Sequence, residues 1–303
     1  MNRRPWAAAA LLFGLLCSPA AHADSLRFCD RPLALDAAQK DKLLRLGAVI
    51  KDELERQGQP VALMSRSGLA LDRFGQRYSH AGFSLRDSPD TPWAVRQLYY
   101  ACDEHRPRLY DQGVAGFLLG TDDPGIGYVS VVFVPGAAAE TLARTARDNR
   151  QALALLGGTY SANAYPFSER YQNCNQWVME MLSAAWGAPT AAGADDSPRA
   201  QAQQWLQAQG YVPTVFEVSR WLMLAGLFVP YLHSGDHPEA ELEQGRYRVS
   251  MPESMEAFVR DTVPDATRVE FCHNDRHIVV HRGWSLIGDG CLPGERDTVI
   301  ALD

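Results

Sequence analysis

One cysteine and one histidine are the residues of this sequence best suited to chemistry. Residues 171–178 (YQNCNQWV) predict the start of a helix that carries Cys174 in its first turn. The positive end of the helix macrodipole favours a thiolate there. Earlier in the chain, residues 78–83 (YSHAGF) predict a strand whose polar residue is His80. A histidine on a neighbouring strand can accept the thiol proton, so the two segments predict a cysteine nucleophile with a general base.

Hydrophobic periodicity and turn residues predict the elements that would position this pair. Asp36 and Gly58 are typical of the cap and the end of a first helix, and residues 88–92 (SPDTP) predict a hairpin turn. The predicted helices cover residues 36–57, 137–156, 173–186, 200–209, 215–228 and 253–262. The predicted strands cover residues 61–64, 78–85, 93–100, 128–134, 268–273 and 277–281.

The order of the two motifs resembles the circularly permuted branch of the papain-like superfamily. That branch includes NlpC-related hydrolases and lecithin retinol acyltransferase-like enzymes. In it, a Ser/Thr-His-x-Gly-aliphatic strand precedes an Asn-Cys-x-x-aromatic-Val helix start, as residues 79–83 (SHAGF) precede residues 173–178 (NCNQWV) here. The resemblance covers residues 61–186. It implies an α+β, permuted papain-like fold in which an antiparallel sheet packs on the Cys-bearing helix, followed by a C-terminal α/β extension.

The resemblance also implies a role for each site residue. Cys174 is the expected nucleophile, His80 the base, and Gln97 on the next strand the third catalytic residue. A glutamine oxygen can accept the ring N–H and fix the histidine tautomer, but it stabilises an imidazolium less well than a carboxylate does. We therefore expect either a modest catalyst or a different third residue. An unperturbed thiol has a pKa of about 8.5, which a helix terminus and a nearby imidazolium can lower below 7.

The predicted activity is hydrolysis of an amide bond, in peptidoglycan stem peptides or a related peptide. The backbone N–H of Cys174 would stabilise the oxyanion, a contribution of about 3 kcal/mol per donor. The predicted substrate-binding residues are Tyr78, Ser79, Asn173 and Tyr171. Two alternatives stay open: hydrolysis or transfer of a lipid acyl ester or amide, and a catalytically weak module that binds cell-wall fragments or a protein partner.

Each site residue also has a structural interpretation. Cys174 could be a buried thiol or half of a disulfide, and His80 could be satisfied by a backbone carbonyl. His277 or His281 could serve Cys174 in the unpermuted order, with the cysteine before the histidine. These two recur with His273 every four residues, a zinc-like spacing on a helix. The intervening residues 278–280 are strand-like, however, so we predict no metal site and no other cofactor.

The N-terminal residues predict a secretory signal over residues 1–23. Arg3 and Arg4 precede a short apolar run at residues 7–17, and residues 21–23 (AHA) form a small-x-small cleavage site. The sequence therefore predicts a periplasmic or secreted protein, with a catalytic domain at residues 24–190 and the extension at residues 191–303. No later segment is long and apolar enough to predict a membrane span. The net charge of −7 does not indicate the basic surface that binds nucleic acid.

Five cysteines remain beyond the predicted signal, and an odd number in an exported protein leaves one thiol unpaired or bridged to another chain. We predict disulfides Cys272–Cys291 and Cys29–Cys102, which leave Cys174 as the thiol. Sequence does not determine connectivity. The alternative is that all five are reduced and buried, which is less common in an oxidising compartment.

Overall fold

The computed structural model describes residues 34–102, 104–121, 123–187, 196–226 and 229–302. The predicted signal and Cys29 lie outside these ranges. The helices are α1 (Ala37–Gln57), α2 (Val114–Leu118), α3 (Gly136–Arg147), α4 (Asn149–Ala154), α5 (Cys174–Trp186), α6 (Pro198–Ala208), α7 (Arg220–Gly226), α8 (Glu239–Leu242) and α9 (Pro252–Thr262). None of the helices within the described ranges is both long and apolar enough to cross a membrane.

An antiparallel sheet organises the fold. The strands are β1 (Val61–Arg66), β2 (His80–Leu85), β3 (Ala94–Ala101), β4 (Arg106–Gln112), β5 (Gly127–Phe133), β6 (Thr214–Glu217), β7 (Arg246–Val249), β8 (Thr267–His273), β9 (His277–Arg282) and β10 (Thr298–Ala301). In the described part of the chain, eight strands follow the order β10-β9-β8-β5-β1-β2-β3-β4, and β6 pairs separately with β7. The predicted hairpin of β2 and β3 is confirmed, with Phe83 opposite Arg96.

Alternation along the strands sorts the side chains onto two apolar faces. On β1, Val61 and Leu63 join the core that contains residues of α3, α5, α6 and α9. Ala62 and Met64 face the opposite way and pack with α1 and α2. The sheet therefore lies between two helical layers. This architecture confirms the α+β class and the packing of an antiparallel sheet on the helix that carries Cys174.

The C-terminal part of the chain completes the same sheet. Strands β8, β9 and β10 extend it beyond β5, with Val131 opposite Val269 and Phe271 opposite Val280. Strands from both sides of residue 190 thus share one sheet. The division into a catalytic domain and an extension stays a prediction.

Two of the predicted helices are wrong in part. Residues 215–228 were expected to form one helix, but the chain forms β6 first and then α7. Val215 and Phe216 pair instead with β7, because β-branched and aromatic residues suit a half-buried strand. The predicted helix over residues 137–156 is divided at Asp148. This side chain accepts hydrogen bonds from the Arg150 and Gln151 N–H groups at 2.8 and 3.4 Å and so begins α4.

A buried ion pair joins α5 to α6. Glu180 lies on α5 and has no exposed surface. Arg199 of α6 donates to both of its carboxylate oxygens, at 2.9 and 3.0 Å. Gln172 and Gln203 donate to the same carboxylate at 2.6 and 2.8 Å. Burial raises the pKa of Glu180 despite these partners. Such a group is stable only while its partners stay in place.

We predict that Glu180→Gln lowers the free energy of unfolding by about 3–5 kcal/mol, because it leaves the Arg199 charge buried without a carboxylate. Urea unfolding of the variant and of the wild type measures the difference. Glu140→Gln, at an exposed position of α3, is the matched control and should change stability by less than about 0.5 kcal/mol. Equal effects of the two substitutions would contradict the prediction.

Candidate active site

Strands β2, β3 and β4 hold a chain of three polar side chains. His80 Nε2 lies 2.5 Å from Gln97 Oε1. Gln97 Nε2 in turn donates to Gln112 Oε1 at 2.7 Å. This second bond orients the Gln97 amide, so its oxygen accepts the Nε2–H of His80. A neutral His80 therefore carries its proton on Nε2 and its lone pair on Nδ1, the arrangement that a general base needs.

The surroundings of His80 keep its ring neutral. The imidazole is buried, with the Tyr99 and Phe117 rings at centroid distances of 5.6 and 5.8 Å. Arg66 is its neighbour on β1. Burial, and to a smaller extent the Arg66 charge, lower the pKa of His80 to about 3, against the opposing effect of the Gln97 hydrogen bond. His80 thus has a free lone pair at neutral pH, but its low pKa makes it a weak base, and it does not supply the imidazolium expected from the sequence.

Cys174 is the first residue of α5. The preceding Asn173 caps the helix: its Oδ1 accepts from the Gln176 N–H at 2.7 Å, and its Nδ2 donates to the Ala162 carbonyl at 3.2 Å. Cys174 keeps its thiol and is 7% exposed, with Sγ 3.6 Å from Asn175 Oδ1. A first-turn N–H has no acceptor within its own helix, and the macrodipole is positive there. The Cys174 backbone and thiol therefore occupy the position that favours negative charge.

A cavity of about 680 Å³ has both Cys174 and His80 in its lining. Ala81 and Phe83 of β2 point to the face of the sheet that packs on α5. His80 points to the opposite face, where its ring contacts Phe117 of α2. The cavity reaches both that ring and the start of α5. Among the predicted substrate-binding residues, Ser79, Asn173 and Tyr171 also line it.

Tyr78 and Gln97 are not part of this lining. The Tyr78 hydroxyl donates to Glu270 and accepts from Arg268 at 2.9 Å, and the side chain is 1% exposed. Glu253 of α9 accepts the backbone N–H groups of Arg77 and Tyr78 at 2.8 and 3.0 Å. Tyr78 thus anchors the backbone that leads into His80. Gln97 contacts the His80 imidazole at Nε2 and does not line the cavity.

The C-terminal half of the chain provides a wall of the cavity that the sequence did not reveal. His233 stacks on Tyr171 with ring centroids 4.7 Å apart. The His233 N–H donates to Ser161 Oγ at 3.0 Å and to Asn163 Oδ1 at 3.1 Å, so its segment is fixed to the loop before α5. Nothing in the local pattern around His233 indicates this position, because the contact joins distant parts of the chain.

Most of the remaining wall is apolar. On the side of β6, β7 and α7, the apolar lining residues are Leu69, Leu71, Phe74, Phe216, Val218, Leu222, Met223, Val249 and Met251. Phe74 and Phe216 meet edge to face at 5.4 Å. We refer to the part of the lining at Cys174 and His80 as the polar end, and to the side of β6, β7 and α7 as the apolar end, where Arg73 over the Phe74 ring adds one charge.

The other histidines have different positions. His277 Nε2 contacts the Cys291 carbonyl at 3.0 Å, and His281 contacts Asp297 and Ser285. Neither lines the cavity at Cys174, so the unpermuted alternative gains no support. In the described part of the chain, no group of three or more His, Cys, Asp or Glu side chains is arranged to hold a metal ion.

The predicted disulfide between Cys272 and Cys291 is confirmed, with Cα atoms 5.7 Å apart. Cys102 is also disulfide-bonded. Its predicted partner Cys29 lies outside the described residues, so that pairing stays a prediction. Disulfides persist in oxidising compartments, which agrees with an extracytoplasmic location.

Comparison with known proteins places the chain in a bacterial family. The model of a family described as "Uncharacterized protein conserved in bacteria (DUF2145)" matches residues 53–259, and the chain belongs to that family. The matched range runs from α1 to α9 and includes Cys174, His80 and Gln97. No curated protein and no solved structure matches the chain. The resemblance to papain-like enzymes therefore rests on the two motifs alone.

The lowered pKa of His80 predicts that acid destabilises the fold. The unfolded chain protonates this histidine near pH 6.5, whereas the folded protein does so only near pH 3. The free energy of unfolding therefore decreases as the pH falls through that window, by up to about 1.4 kcal/mol per pH unit. Urea unfolding between pH 4 and pH 7 measures the slope, which His80→Gln should reduce.

His273 leaves part of the slope in that variant, because burial lowers its pKa to about 4. Imidazole ¹⁵N shifts, assigned to His80 by their loss in His80→Gln, give an independent check at pH 5. A protonated His80 at pH 5, together with an unchanged slope in the variant, would contradict the prediction.

Proposed function

We propose that this family member is an exported cysteine hydrolase that cleaves an amide bond with Cys174 and His80. The observation that supports it best is the shared cavity of about 680 Å³, which joins a thiol at a helix N-terminus to a neutral, oriented imidazole. Each group alone has structural explanations. Their presence in the lining of one concave site supports a nucleophile–base pair, which requires that the thiol reach Nδ1 of His80.

The proposed reaction follows from these positions. As Sγ of Cys174 attacks the carbonyl carbon, the thiol proton passes to Nδ1 of His80. The Cys174 backbone N–H stabilises the oxyanion, helped by the helix dipole. His80 then donates the proton to the leaving amine as the C–N bond breaks. Water, deprotonated by His80, hydrolyses the thioester and restores the thiol.

Gln97 is the positioning residue in this proposal. Its oxygen holds Nε2–H, and its own amide is held by Gln112, so the ring cannot present the wrong nitrogen without breaking two hydrogen bonds. A neutral amide stabilises the transient imidazolium less well than a carboxylate would. We therefore propose a modest catalyst within a permuted papain-like fold. Weak binding of cell-wall fragments without turnover is the limiting case.

Peptidoglycan stem peptides or related peptides are the proposed substrates. Export would bring the enzyme to the cell wall, and the Cys272–Cys291 disulfide supports export. Polar residues of the lining support an amide substrate, since Asn173, Ser79 and His233 line the same cavity as the nucleophile.

A lipid acyl ester or amide is the second candidate. The observation in its favour is the apolar end of the cavity, where Phe74, Phe216 and Met223 could contact an acyl chain. An ester would use the same residues, with an alcohol in place of the amine as the leaving group.

Thiol alkylation tests the proposed pair directly. We predict that a short iodoacetamide pulse between pH 5 and pH 9 labels Cys174 in the folded protein, and that His80→Ala slows labelling at least tenfold because the base is lost. Peptide mass spectrometry locates the label, and near-ultraviolet circular dichroism checks the fold. Labelling that does not depend on His80, in a folded variant, would refute the pair.

Hydrolysis assays distinguish the two substrate classes. We predict release of new amines from peptidoglycan stem peptides, lost in Cys174→Ala. A series of acyl esters of increasing chain length tests the alternative. If only the longer esters turn over, and Phe216→Asp removes that preference without slowing the shortest ester, the lipid candidate replaces the peptide one.

A further inference from the structure

A second group of chemically competent side chains lies away from the cavity. His281, at the end of β9, has Nδ1 2.6 Å from Asp297 Oδ1 and Nε2 2.8 Å from Ser285 Oγ. The three residues come from β9, the loop after it and the segment before β10. Hydroxyl, imidazole and carboxylate therefore follow one another in the order that activates a serine nucleophile.

The partners determine which way each hydrogen bond runs. A carboxylate only accepts, so Asp297 requires the proton on His281 Nδ1. Nε2 is then the acceptor for the Ser285 hydroxyl. Burial acts to raise the pKa of Asp297, but hydrogen bonds from the Gly294 N–H, at 2.7 Å, and from His281 lower it overall. The Asp297 side chain is only 4% exposed, so it has an enclosed position behind the imidazole.

The segment that carries Ser285 is held at several points. Gly283 has a φ of 143°, a conformation that L side chains rarely adopt, and its N–H donates to the Arg268 carbonyl at 2.9 Å. Arg268 Nη1 donates to the Ser285 carbonyl at 3.1 Å. The Cys272–Cys291 disulfide ties β8 to the chain beyond Ser285. The hydroxyl is thus presented from a constrained backbone.

Ser285 itself is exposed, and so is the apolar side chain of Leu286 beside it, at 55%. A purely structural hydrogen-bond chain does not require its terminal hydroxyl to be open to solvent, whereas a nucleophile does. Because Ser285 is open to solvent and only Leu286 offers an apolar side chain beside it, the position suits a short acyl group. It also favours esters over amides, because an alkoxide leaves more readily than an amine.

We propose that Ser285 and His281, positioned by Asp297, form a second hydrolytic site that acts on carboxylic esters with a short acyl group. This site is independent of Cys174. It also lies beyond residues 53–259, the range matched by the family model, and so it is a property of the C-terminal segment of this chain.

The reaction needs no further component except water. Ser285 Oγ attacks the ester carbonyl carbon while His281 Nε2 takes the hydroxyl proton. The ester C–O bond then breaks, and the proton passes from Nε2 to the leaving alkoxide. A water molecule, deprotonated in the same way, attacks the acyl-serine and releases the carboxylic acid.

A fluorophosphonate probe tests the site because it phosphonylates activated serines. The experiment uses the full chain with Cys174→Ala, which removes the first nucleophile without adding a second hydroxyl. Labelling at Ser285, located by peptide mass spectrometry, is expected to be at least a hundredfold faster than at the exposed Ser219, which serves as the internal reference. His281→Gln is expected to reduce the Ser285 rate to that reference. p-Nitrophenyl acetate hydrolysis should fall in parallel.

Variants of Asp297 distinguish a positioning role from a purely structural one. Asp297→Asn should slow labelling at least tenfold because the amide can leave Nε2 protonated, and Asp297→Glu should restore part of the rate. Melting temperatures, measured in parallel, identify any variant that fails to fold. Labelling of Ser285 no faster than Ser219 in the folded parent, or equal labelling in folded His281→Gln, would overturn the proposal and leave a structural hydrogen-bond chain.

Discussion

The buried ion pair between Glu180 and Arg199 is the interaction on which the candidate site depends most. Arg199 donates not only to Glu180 but also to the carbonyls of Glu169 and Tyr171, at 2.7 and 3.0 Å. The same guanidinium thus stabilises α5 and fixes the backbone that leads into Cys174. Gln172 adds to this, since it donates to both Glu180 and the Leu155 carbonyl.

A buried charge with this many partners offers little room for rearrangement. Removing any donor leaves the carboxylate poorly solvated, which is costly in an apolar interior. These contacts therefore help to fix the first turn of α5, where the thiol lies. Rigid support of this kind is what a preorganised catalytic group needs, because small displacements reduce the rate strongly.

The electrostatic character of the site follows from the use of amides instead of charges around His80. Gln97 and Gln112 orient the imidazole without a compensating negative charge, while Arg66 adds a positive one nearby. The protonated form of His80 is therefore disfavoured, and the imidazole stays neutral. Such a site gives up part of the transition-state stabilisation that a carboxylate provides, and it keeps the imidazole unprotonated at acidic pH but weak as a base.

The sequence by itself determined the local features of this protein. The Asp36 cap, the start of a helix at Cys174 and the hairpin of β2 and β3 depend on residues close together in the chain, and the structure has them as predicted. The Cys272–Cys291 disulfide was predicted, but the sequence left its connectivity open, and the structure decided it. The wrong helix at residues 215–228 shows the limit, since pairing with β7 overrides local propensity there.

Only the tertiary structure decided which distant side chains meet. His233 reaches the cavity through hydrogen bonds to Ser161 and Asn163, and Asp297 reaches His281 across a loop. Gln112 supports Gln97 because β4 pairs with β3. These contacts join residues whose local sequence carries no sign of them. Their physical basis is the burial of polar groups, which must find partners wherever the packed chain brings them.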